Sequence, residues 1–201
     1  WKRSRYRFMS GSMKIENHEK PWVKYYDAAV PGSLEYPNWT LVDLLRNTAD
    51  KYPMRIALIC GNRRMNYYDL YWTAQYFSFT LIREGLEPGE RVGICLPNGI
   101  DFVVAFFATL MGGGIVAAMN PNYPLPEWQY QTAIARPAIL IGLESRNKDL
   151  MQLKKECNSK ALILTNDSEE GGSFPLSFVD FAPERASVYF PDVTGSHGAV
   201  L

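Results

Sequence analysis

Apolar and polar positions in this chain follow a helical period in some segments and a strand period in others. From Thr40 to Tyr52, Leu41, Leu44, Leu45, Thr48 and Tyr52 recur at helical spacing, and Pro53 closes the segment. Thr40 and Asp43 stand in capping-box relation, with Asp in place of the usual Glu. Ile56-Ala57-Leu58-Ile59-Cys60 then reads as a strand. Gly61-Asn62 signals a tight turn, and Arg63 to Tyr67 returns as its partner. Asn66 can cap a second helix with Leu70, Ala74, Phe77 and Leu81 as its inward stripe and Gly85 as its stop.

The pattern from Gly85 to Glu127 is the most informative. Pro88-Gly89 makes a turn, Arg91 to Leu96 a buried strand, and Pro97-Asn98-Gly99 a turn into a helix. Ile100, Val103, Val104, Phe107, Leu110 and Met111 keep helical spacing there. Phe102 and Phe106 add a second apolar side, so burial nearly all round is expected. Gly112-Gly113-Gly114 breaks the helix, and Ile115 to Met119 is a short core strand. The result is a parallel βαβ unit. Phe102 to Met119 holds no charged residue and approaches the length of a membrane span, about 20 apolar residues. Each glycine inside a helix costs about 1 kcal/mol relative to alanine, and no basic residues flank the run closely. A helix and a strand divided by three glycines is the better reading.

The remaining pattern extends the same architecture. Trp22 to Trp39 is rich in Pro, Tyr and Trp and predicts an irregular arm lying on the domain. Pro121, Pro124 and Pro126 predict a rigid loop, after which Glu127 begins a helix. Ala138 to Leu143 is a strand, Asn147 to Cys157 a helix with Leu150 and Leu153 inward, and Ala161 to Leu164 another strand. Asn166 to Ser173 is a polar loop, and Phe181 to Leu201 has little periodicity. The expected fold class is α/β: a mostly parallel sheet flanked by helices, with one antiparallel hairpin.

Composition narrows the function classes. The 201 residues balance 21 basic against 21 acidic side chains. Lys2, Arg3, Arg5 and Arg7 fall in a leader without acids, which leaves 17 basic against 21 acidic in the rest. The main body therefore has no electrostatic case for nucleic-acid binding. Residues 1–20 read as an upstream extension, with Met9 and Met13 as alternative starts. Cys60, Cys95 and Cys157 are odd in number, and no pair is spaced for zinc or redox chemistry. Cys60 and Cys95 fall in strands expected to be buried, which fits a reduced, cytoplasmic protein.

Candidate chemistry is sparse. Gly112 to Gly114 follows a helix and precedes a strand, the reverse of a phosphate cradle at a helix N-terminus. Thr194-Gly195-Ser196-His197-Gly198 has no Lys and too little chain after it for such a site. His18 and His197 sit in unpatterned ends, and Glu169-Glu170 in a polar loop. Tyr67, Tyr68, Tyr71 and Tyr76 read as packing around one helix. The residues alone nominate no catalytic group and no metal ligand.

The order of motifs says more. The chain resembles the amino-terminal part of the acyl-adenylate-forming enzymes, and most closely the long-chain fatty-acid–CoA ligases. Pro21 to Tyr26 with Val30-Pro31 looks like their leader, and Thr40 to Leu45 with Pro53 and Ala57-Leu58 like their first helix and strand. Met65 to Leu70 is loosely similar to "TYxEL", and Gly89 to Ile94 with Leu96-Pro97-Asn98 closely similar to "GDRVAIxLPN". Ala105 to Ala108 and Asn120 to Tyr123 are similar to "AFFA" and "NPxYT", with Pro124 where the family has Thr. Near the end of the helix after Glu127, Ile134-Ala135 stands where the family carries Asp-Ser.

The resemblance implies the amino-terminal portion of an adenylating-enzyme large domain. Residues 21–201 would be an incomplete AMP-binding domain that ends before the ATP phosphate loop. It implies a parent that uses ATP, Mg²⁺ and CoA to convert a fatty acid to an acyl-adenylate and then a CoA thioester, with this chain inactive alone. The missing partners would be the rest of the adenylating domain and a C-terminal domain. In related short-chain ligases the loop corresponding to Asn120, Pro121 and Asn122 borders the channel for the pantetheine arm of CoA; the alternative for these residues is a strand-to-helix turn with three prolines. The alternatives are a stand-alone interaction module on the same scaffold and a ligase for an aromatic or amino acid. Peripheral membrane association and a homodimer stay open.

Overall fold

The computed structural model describes residues 20–34 and 38–165. The chain forms two units, residues 1–37 and residues 38–201. In the first, the described residues hold a single turn of 3₁₀ helix at Val23–Tyr25 in otherwise irregular chain. The expectations for residues 1–19, for Asn166 to Ser173 and for the chain to Leu201 lie outside the described residues.

The second unit begins with helix α1 (Leu41–Lys51). Thr40 Oγ1 accepts from the Asp43 amide at 3.1 Å, and Asp43 accepts from the Thr40 amide at 2.9 Å, so the expected capping box forms. Its buried face differs from expectation. Leu45 and Ala49 face the core, whereas Leu41 and Leu44 are exposed. Strands β1 (Ile56–Cys60) and β2 (Arg63–Asn66) pair antiparallel through the Gly61-Asn62 turn. They form a separate two-stranded sheet, covered on one side only. Cys60 is therefore half-buried rather than buried, and Ile59 on the free side is exposed.

Helix α2 (Tyr67–Arg83) takes Asn66 as its cap and buries Leu70, Ala74, Phe77 and Leu81 as expected. The Trp72 ring meets Tyr68, Tyr71 and Tyr76 along its outer side. Strand β3 (Arg91–Cys95), helix α3 (Ile100–Met111) and strand β4 (Ile115–Ala118) make the expected parallel βαβ unit. No residue of α3 is exposed. Among the described residues, no helix is long and apolar enough to cross a membrane. Helix α4 (Leu125–Ala135) starts two residues before Glu127, because Pro126 is tolerated in a first turn whose N–H groups lack intrahelical partners. Strand β5 (Ile139–Leu143), helix α5 (Asn147–Glu156) and strand β6 (Ala161–Thr165) complete the unit.

The four parallel strands lie in the order β4-β3-β5-β6. Side chains alternate between two cores, as the period-2 geometry of strands requires. Val92, Ile94, Ile139, Ile141 and Ile163 meet α1, α2 and α3 on one face. Cys95, Leu140 and the partly buried Leu162 and Leu164 meet Trp128, Leu150 and Leu153 on the other. Gly142 has no Cβ because Leu150 fills that space.

The three glycines end α3 by backbone bonds. The Gly113 amide donates to Leu110 O at 3.0 Å and the Gly114 amide to Thr109 O at 2.8 Å, a Schellman closure. Gly113 sits at φ +76°, a left-handed conformation that a Cβ disfavours. Gly113→Ala should destabilise the chain by about 1–2 kcal/mol, measured by chemical denaturation. An unchanged midpoint would contradict this closure.

Candidate functional site

All four parallel strands end on one edge of the sheet, and polar side chains converge there. Three loops leave this edge side by side. Asn120 to Pro124 follows β4, Leu96 to Gly99 follows β3, and Glu144–Arg146, a single 3₁₀ turn, follows β5. The crossover from β3 runs outward to β4 and the crossover from β5 runs the other way to β6, with α3 on one face and α4 and α5 on the opposite face. Ligands of open α/β sheets gather in the crevice where connections diverge in this way, here between β3 and β5.

Arg146 spans that crevice. Its Nη1 donates to Pro121 O at 2.8 Å and its Nη2 to Tyr123 O at 3.0 Å. Its Nε donates to Asp149 at 3.0 Å, and the guanidinium carbon lies 4.1 Å from the centre of the Trp128 ring. The fully buried Trp128 donates its indole N–H to Asn120 O at 2.8 Å. Asn120 Oδ1 accepts from the Asn122 amide at 2.9 Å, closing an Asx turn. Asn120, Pro121 and Asn122, nominated from sequence, thus sit on the carboxyl edge of the sheet. Their backbone is held by two side chains that sequence reasoning missed. A Trp in helical register reads only as core, and an Arg at a helix start reads only as surface charge.

Asp101, also missed, lies in the first turn of α3 beside the β3 loop. It is only 9% exposed. Burial pushes its carboxyl up to about 6, and the nearby Arg63 charge opposes the rise. Cys95, buried at the end of β3, is pushed up to about 12 by burial, with Arg146 opposing. Burial thus favours the thiol over the thiolate at neutral pH. The opposite edge holds a cleft of about 290 Å³ lined by Gln129, Thr132, Ala133, Arg136, Glu156 and Cys157. There Gln129 and Gln152 already donate to Glu156, and their hydrogen bonds lower its pKa.

The glycine run does not fit a triphosphate. The amides of Gly112, Gly113 and Gly114 are spent on closing α3, at the end of a helix that repels anions. Among the described residues, no group of three or more His, Cys, Asp or Glu side chains could hold a metal ion.

The pH dependence of Asp101 can be tested directly. Its pKa is raised in the folded state, so its contribution is fully present below the unfolded value, about 4. That contribution is lost as pH rises through about 6. Asp101→Asn should therefore gain stability relative to the parent between pH 4 and 6, levelling at no more than about 3 kcal/mol near pH 7. Thermal unfolding across pH reads this difference, and a pH-independent difference would contradict the assignment.

Comparisons with known proteins agree with this architecture. Residues 45–185 match the model of the family described as AMP-binding enzyme. A long-chain-fatty-acid–CoA ligase of Bacillus subtilis (strain 168) is 32% identical over 126 residues, which is 63% of this chain and 22% of that protein. A linear gramicidin synthase of Brevibacillus parabrevis is 30% identical over 182 residues, 90% of this chain and 2% of that protein. The crystal structure of a long-chain-fatty-acid-CoA ligase from Archaeoglobus fulgidus superimposes with a TM-score of 0.69 at 22% identity, covering 87% of this chain and 36% of that one. That last likeness shows a shared fold. The chain spans about a fifth of the length of the Bacillus ligase. The chain belongs to the AMP-binding enzyme family.

Proposed function

We propose that this chain is the amino-terminal scaffold of an ATP-dependent acid–thiol ligase acting on a fatty acid and CoA. The carrying observation is the similarity to a fatty-acid–CoA ligase over 126 residues, on a sheet whose carboxyl edge presents an anchored loop. In this reading the complete enzyme joins the acid carboxylate to the adenylyl group of ATP with release of pyrophosphate. The thiol of CoA then attacks the acyl carbonyl, and AMP leaves. In this reading the part of this chain is to support the site and to border the thiol path. Asn120, Pro121 and Asn122 line that path.

Similarity to a gramicidin synthase keeps the class of acid a matter for experiment. The 201-residue chain alone, given ATP, Mg²⁺ and a fatty acid, should release no pyrophosphate. A complete polypeptide carrying it should release pyrophosphate with fatty acids and form a thioester once CoA is added. Adenylate formation by the chain alone would overturn the scaffold assignment. A complete polypeptide active only with aromatic or amino acids would overturn the fatty-acid assignment.

A further inference from the structure

We propose that Arg146 is a positioning residue for the thiol-transfer half of the reaction, acting through the Asn120–Tyr123 loop. The inference rests on the ligase reading above, and it adds a residue and a means.

The geometry supports a positioning role over a purely stabilising one. Arg146 leaves the end of β5, yet its two terminal nitrogens bind carbonyls of the loop that follows β4. Strand β3 lies between those strands, so the side chain reaches across the crevice end of β3. Its target loop is mostly open to water: Asn120, Asn122 and Tyr123 are exposed and Pro121 is half-buried. Water could solvate those carbonyls in its absence, so the net stability gained from the two bonds is small. What water cannot supply is a fixed direction. A planar guanidinium donates along two set lines, and here its plane is also seated on the Trp128 ring. Trp128 in turn holds the carbonyl of Asn120, and Asp149 holds the guanidinium from behind at 2.9 Å. Asn120, Pro121 and Tyr123 are thus each tied through a backbone carbonyl, and Asn120 also through its Oδ1, which accepts from the Asn122 amide. A thiol arm threading past this loop needs such fixed geometry, since small misplacements of a reacting group cost large factors in rate.

The test uses two preparations. In the complete ligase, Arg146→Met should raise the KM for CoA about tenfold, and leave fatty-acid-dependent ATP–pyrophosphate exchange within about twofold of the parent. Arg146→Lys should recover only part of the loss, because one ammonium cannot bind both carbonyls and keep the ring contact. In the 201-residue chain, Arg146→Met should speed hydrogen exchange at the Tyr123 amide and the Trp128 indole about tenfold, with β3 and β5 amides unchanged.

Equal losses in both half-reactions would show a structural role only and overturn the proposal. So would an unchanged KM for CoA, or full recovery by lysine. If the unsubstituted complete protein forms no CoA thioester, the ligase reading itself fails, and the assigned role of Arg146 fails with it. That outcome is read in the parent protein, before any variant is made.

Discussion

A parallel sheet covered on both faces is the constraint from which the rest of this molecule follows. Interior strand positions here must be apolar on both sides, since helices pack against each face. Charge is thereby driven to the strand ends. Arg91, at the amino edge, donates to Ala135 O at 2.7 Å and Arg136 O at 3.1 Å, closing α4. Lys160, on the same edge, joins Gly85 O and Glu90, each at 2.9 Å. Arg146 does comparable work at the carboxyl edge.

The two edges nevertheless differ in kind. At the amino edge the charged groups bind helix ends and one another, which fastens one layer to the next. At the carboxyl edge the connections diverge, and the groups surround a crevice. Asp101 is held there against its preference for water, and the β4 loop is held by an arginine and a tryptophan rather than by regular structure. The amides of Gly112, Gly113 and Gly114 are used within the α3 closure and leave no cradle for phosphate there. The three-glycine run, which a composition search would single out, is a helix stop.

Elements were legible in sequence wherever local and tertiary preferences agree. The apolar runs of β3 and β5 and the stripe of α2 fall where periodicity puts them, because the residues that favour each element are also those buried in it. The misreadings share a cause. Leu41 and Leu44 have helical spacing but lie on the open side of α1, and Cys60 lies in a strand covered on one face only. Periodicity tells which residues share a face and is silent on whether another layer covers it. Pro126 misled in another way, since it marks a loop in most contexts and a first helical turn in this one.

The site divides along the same line. Asn120-Pro121-Asn122 could be nominated from sequence because turn chemistry and family resemblance both reside in neighbouring residues. The clasp around it could not, because Arg146 stands 25 residues from Pro121, and their contact depends on strand order. Strand order is a choice among folds with nearly the same local pattern, and long-range packing decides it. The sequence by itself determined that this chain alternates strands and helices in a parallel, covered sheet, through hydrophobic period and turn residues that act over a few positions. Only the tertiary structure decided that β5 lies beside β3, that Arg146 therefore crosses the crevice, and that Asp101 is buried enough to resist ionisation. Those outcomes depend on distances and desolvation between segments far apart in the chain, and no local pattern encodes either.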